Sequence, residues 1–107
     1  MPKRKPTSDA TKIEEGTGVK NFYSEVDDVT LTFSDIKSTP DGMEYLRIYF
    51  EKPVDGGFQF LESVLPGLEI KDTEGFSEQE IAELLDYANR NAFIIWRLAM
   101  EGSAHIA

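Results

Sequence analysis

Apolar side chains first fall into register at Val29. Val29, Leu31 and Phe33 alternate with Thr30, Thr32 and Ser34, and the β-branched and aromatic types predict a half-buried strand over residues 29–36. Thr39-Pro40-Asp41-Gly42 supplies turn chemistry, because proline presets φ and glycine accepts a positive φ. Beyond it Leu46, Ile48 and Phe50 alternate with Tyr45, Arg47 and Tyr49, so the two strands are expected to form a hairpin. Pro53-Val54-Asp55-Gly56-Gly57 is a second turn, after which Phe58 and Phe60 alternate with Gln59 and Leu61. Pro66-Gly67 then sets off a short strand at Leu68 and Ile70. The economical reading is an antiparallel meander of three to four strands.

The period then changes from two to 3.6. Ser77 is placed to accept from the amide of Glu80 while the Glu80 carboxylate reaches back to the Ser77 amide, with Phe76 and Ile81 set as a hydrophobic staple. Glu78, Glu80 and Glu83 lie near the positive end of the helix dipole. Ile81, Leu84, Leu85, Ala88, Ala92, Ile95, Trp96 and Ala99 recur at spacings of three, four and seven, which gives one stripe suited to covering the sheet. Gly102 is expected to end this helix. A helix from Glu78 to Glu101 is about 36 Å long, more than a small meander needs. The fold class is therefore α+β, a meander packed against one long C-terminal helix.

The second half of the helix breaks the amphipathic rule. Phe93, Ile94, Ile95, Trp96, Leu98 and Met100 surround the axis, so a single sheet cannot bury them all. Either strand 29–36 and the segment around Phe22 and Tyr23 wrap the helix within one subunit, or a protein interface covers it. The second reading is the sharper one, since symmetric homodimers are common and aromatic and Met side chains are enriched in interface cores. The candidate contacts are Leu84, Tyr87, Phe93, Ile94, Trp96, Leu98 and Met100, with Trp96 as the expected anchor.

Composition narrows the rest. With 107 residues the chain holds one core, read as a single domain over 21–107 behind a polar leader over 1–20. The net charge is −9; Lys3, Arg4 and Lys5 take three of the eleven basic residues, leaving eight against twenty acidic ones, or −12, for the remainder. An acidic body repels phosphate backbones and favours basic partners, and the short basic arm is given no role. No apolar run is long enough to span a bilayer and no apolar signal region follows the basic start, so a cytoplasmic location is expected. There is no cysteine and a single histidine, His105, so neither zinc nor a thiol or histidine nucleophile is expected.

Other chemistry is sparse. Gly16-Thr17-Gly18 lacks the third glycine of a dinucleotide loop and has no strong strand before it, while Asp55-Gly56-Gly57 joins two strands instead of opening a helix. The serines have no internal histidine to activate them and no nucleophile elbow is present. Asp27 and Asp28, Asp35, Glu44, Glu51 and Glu62 could hold a divalent cation only if the fold gathered them, and the Asp pair reads as a solvated gatekeeper. No cofactor and no catalytic residue are assigned.

One stretch resembles a known family. Asp55-Gly56-Gly57-Phe58, six intervening residues, Leu65-Pro66-Gly67-Leu68 and the capped start at Ser77 and Glu80 resemble the N-terminal half of HicB-type antitoxins over roughly residues 44–100. The resemblance implies a strand, a D-G-G-aromatic turn, a second strand, an L-P-G turn, a third strand and a capped helix. It further implies a small domain that binds and occludes a basic RNA-cleaving toxin. The chain departs from the pattern at Ser63, where a proline is usual, at Leu68, where a cysteine is common, and in a helix start displaced by about three residues. A strand over 29–36 is added in front, and neither a strand after the helix nor a DNA-binding segment is expected, so DNA autoregulation is not carried over.

The expected function is a non-enzymatic protein-interaction module, a homodimer and antitoxin-like. Two alternatives stand beside it: an acidic mimic of nucleic acid that blocks a nucleic-acid-binding protein, and a carboxylate-metal enzyme.

Overall fold

The computed structural model describes residues 20–106, with side chains through residue 102. The leader over 1–20 thus lies, apart from Lys20, outside the described residues, as does Gly16-Thr17-Gly18. Six strands and one helix follow in order: β1 (Asn21–Val26), β2 (Val29–Phe33), β3 (Lys37–Ser38), β4 (Glu44–Val54), β5 (Gly57–Leu65), β6 (Asp72–Glu74) and α1 (Glu78–Ile106). They form one antiparallel sheet in the order β1-β2-β4-β5-β6, with β3 paired to β4. The α+β class stands, but the sheet has six strands where three or four were expected.

Each departure has a local cause. Strand 29–36 stops at Phe33 because Ser34 keeps only half of the ladder: its amide donates to the Arg47 carbonyl at 2.9 Å, but the Arg47 amide donates to Ser34 Oγ at 2.9 Å, and that hydroxyl donates to the Asp35 carbonyl at 2.8 Å. Pairing with β4 resumes at Lys37 opposite Tyr45. Leu68 and Ile70 form no strand, because Leu68 has φ 61 and its amide turns back onto the Val64 carbonyl at 2.7 Å, behind a cis Leu65-Pro66 bond. The last strand of the meander is instead β6, whose Thr73 pairs with Leu61. The helix is not ended by Gly102; it continues to Ile106 and spans 29 residues, about 43 Å.

The first hairpin was hidden from periodicity. Val26 pairs with Val29 across a two-residue turn in which Asp27 (φ 52) and Asp28 (φ 68) both occupy the left-handed region, the geometry of a type I′ turn. Aspartate is among the few non-glycine residues that tolerate it. The Asp pair is thus the turn itself.

One face of the sheet carries the core. Leu31 and Phe33 from β2, Leu46, Ile48 and Phe50 from β4, and Leu61 and Leu65 from β5 are buried against Ala88, Ile95 and Ala99 of the helix. Ser63 falls in the same row, fully buried, and donates to the Glu69 carbonyl at 2.7 Å, which satisfies the hydroxyl and ties down the loop after the Pro66 turn. At the helix start the Ser77 amide donates to Glu80 Oε1 at 2.8 Å and the Glu80 amide to Ser77 Oγ at 3.1 Å, the reciprocal box expected there.

Gly75 sets the entry into the helix. Its φ is +94, and a Cβ there would lie 2.6 Å from Gln59 Cγ and 3.0 Å from Gln59 Cβ, so both conformation and space demand glycine. Gly42 (φ +88) has open space around the same position. We predict that Gly75→Ala costs about 2–3 kcal/mol and Gly42→Ala only about 1 kcal/mol. Urea denaturation of the two variants checks this, and equal losses would contradict the packing argument.

Candidate interaction surface

The core-facing arc of the helix contains Leu84, Ala88, Ile95 and Ala99, and at about 100° per residue the remaining apolar side chains fall on two flanks of that arc. Tyr87, Ile94 and Leu98 lie on one flank, while Phe93, Trp96 and Met100 lie on the other. Between them the solvent side is charged, with Arg90 paired to Asp86 at 2.9 Å and Arg97 to Glu101 at 3.8 Å. The terminal half is therefore oily on three sides, with a charged stripe down the fourth.

The flank bearing Tyr87 faces β1. Tyr87 Oη donates to Ser24 Oγ at 3.0 Å, Tyr23 Oη donates to Asn91 Oδ1 at 2.6 Å, and Asn91 Nδ2 donates to the Tyr87 carbonyl at 2.8 Å. A register shift between Phe22 and Ser24 makes this possible. With strict alternation Tyr23 and Ser24 would point to opposite faces; the extra residue lets both reach the helix and sends Phe22 to the far side, 65% exposed. The segment around Phe22 and Tyr23 thus meets the helix at Tyr87 and Asn91.

Four of the seven candidate residues are left uncovered. Phe93 is 73% exposed, Met100 53%, Ile94 50% and Leu98 40%. Leu84, Tyr87 and Trp96 are half-buried and pack against the core of their own subunit. Trp96 therefore joins the core to the exposed strip between Phe93 and Met100, three and four residues away on the same flank. Arg97 lies 5.9 Å from the Phe93 ring centroid and shields one face of it.

The carboxylates do not gather. Asp27 and Asp28 sit in the first turn, Asp35 and Glu44 are exposed elsewhere, and Glu51 and Glu62 lie on the sheet face away from the helix, paired with Lys20 at 3.4 Å and with Arg47. Among the described residues no group of three carboxylate or histidine side chains is placed to hold a metal ion. The side chain of His105 lies outside those described. No helix among the described residues is long and apolar enough to cross a membrane. No protein-family model, curated protein or solved structure matches the chain.

The β1 clamp has a pH signature. Burial, and secondarily the nearby Tyr87, raise the Tyr23 hydroxyl above the ordinary tyrosine value of about 10. The folded state thus holds this proton more tightly than the unfolded state, so the contribution is complete below pH ~10 and is lost as pH rises through the folded value. Tyr23→Phe is predicted to cost about 1 kcal/mol at neutral pH by loss of the bond to Asn91, and to lose less stability than the parent between neutral and strongly alkaline pH. Urea unfolding at both pH values measures the two slopes; identical alkaline losses would refute the assignment.

Proposed function

We propose that this chain is a non-enzymatic protein-interaction module that pairs with a second copy through the terminal half of its helix and presents an acidic body to a basic protein, in an antitoxin-like manner. The observation that carries the pairing is the exposure of Phe93, Ile94, Leu98 and Met100 on one element. Scattered exposed apolar residues are ordinary, but four within eight positions of a helix, in two strips beside one charged stripe, form a surface of the kind that interfaces bury. Phe93 is the anchor, because Trp96 already spends much of its surface on its own core. The strip is self-complementary in character: apolar flanks on either side of paired charges can meet their own copy about a two-fold axis.

Two features support the basic partner. The net charge of −9 gives long-range attraction to a basic protein. The succession β4, Asp55–Phe58 turn, β5, Leu65–Leu68 turn, β6 and capped helix is the order that the HicB resemblance implies.

Sedimentation velocity at micromolar concentration is expected to give a dimer that Phe93→Glu with Met100→Lys converts to a monomer. Both replacements are good helix formers at exposed sites, so unfolding free energy per subunit should change by no more than about 0.5 kcal/mol beyond loss of the dimer. Raising the salt is expected to hold or tighten the dimer, since it screens repulsion between two acidic subunits. A parent chain that remains monomeric across the micromolar range would remove the pairing. Dissociation by salt would instead favour contacts through charge, as in a nucleic-acid mimic.

A further inference from the structure

The start of the helix stands away from the β1–β2 hairpin and leaves a cleft of about 220 Å³. Its floor is apolar: Leu31 and Phe50 are each 1% exposed, and Val29, Phe76 and Leu84 line the sides. Its rim carries three carboxylates brought from two directions, Asp27 from the first turn and Glu80 and Glu83 from the helix, against one cation, Lys52 of β4. Among the described residues no ion pair neutralises any of the three. Glu80 accepts from the Ser77 amide at 2.8 Å and Glu83 from Gln79 Nε2 at 3.2 Å, each through one carboxylate oxygen, which leaves the second oxygen of each and the Asp27 carboxylate to meet a ligand.

The two parts of the cleft select one chemistry. An apolar hollow holds water poorly and favours a compact hydrophobic side chain, while a rim with a net excess of carboxylates attracts cations and repels anions. We infer that this cleft receives an aromatic or branched apolar side chain flanked by Lys or Arg on a basic polypeptide. This rests on the reading that the chain binds a basic protein, and it places that contact at the opposite end of the helix from the pairing surface. One subunit can then hold its copy and its partner at once.

The test is a nuclear magnetic resonance titration of the full chain with short peptides carrying a central phenylalanine between pairs of lysines. Shifts are expected at Val26, Val29, Leu84 and Tyr87, and Asp27→Asn with Glu83→Gln should weaken binding about fivefold, consistent with loss of two rim charges. Asparagine keeps the left-handed turn at residue 27, so the variant folds. Lys52→Glu should tighten binding by a similar factor, a gain that loss of folding cannot mimic. A peptide with glycine in place of phenylalanine that shifts the same residues as strongly would overturn the apolar part of the site, and a glutamate-flanked peptide that binds equally would overturn the electrostatic part. Shifts outside the cleft would sink the cleft while leaving the basic-partner reading intact; no shifts at millimolar peptide would sink both.

Discussion

A sheet has two faces, and among the described residues one helix is available to cover them. The helix seats itself through Ala88 and Ala99, whose small side chains let its axis approach the rows of Leu31, Phe33, Leu46, Ile48, Phe50, Leu61 and Leu65, with Ile95 filling the space between. That contact decides which helix positions are buried. Because the helix is about 43 Å long and its contact arc is narrow, its terminal half leaves Phe93, Ile94, Leu98 and Met100 exposed on its flanks.

The other face of the sheet is adapted to having no cover. Thr30, Thr32, Tyr45, Arg47, Tyr49, Glu51 and Glu62 alternate outward along β2, β4 and β5, in register with one another. Arg47 pairs with Glu62, Lys20 pairs with Glu51, and Lys20 Nζ also sits 4.4 Å from the centroid of the Tyr49 ring. Exposed ion pairs of this kind contribute little to stability, but they leave the face wettable. Exposed apolar side chains gather within one short stretch of the helix, at Phe93, Ile94, Leu98 and Met100, while those off it, among them Phe22, Met43 and Phe58, are spread over several strands and turns.

Much of this was legible from periodicity. The alternation Val29-Leu31-Phe33 and Leu46-Ile48-Phe50 named the buried face, and the stripe ending at Ala99 named the helix arc against it. The excess apolar content of residues 93–100 pointed to the residues that stand exposed, although Leu84, Tyr87 and Trp96 could not be separated from them without knowing how far β1 reaches. What periodicity missed had no period. The β1 strand hides behind a bulge at Tyr23 that breaks its alternation, and its turn uses two aspartates where glycine is the usual signal. Leu68 carries a strand-forming side chain in a left-handed backbone, which only the loop closure through Val64 and Glu69 explains. The cleft could not be read at all, since its lining comes from the first turn, β4 and the helix start, more than fifty residues apart in the chain.

We propose that a second copy covers the terminal flanks of the helix. Isotope-filtered nuclear Overhauser spectra of a mixed labelled and unlabelled sample measure this directly. Contacts between subunits are expected at the Phe93 ring and at the methyl groups of Ile94, Leu98 and Met100, with none at the outward face of β4. Complete absence of contacts between copies at millimolar concentration, with tumbling that matches a single subunit, would contradict it.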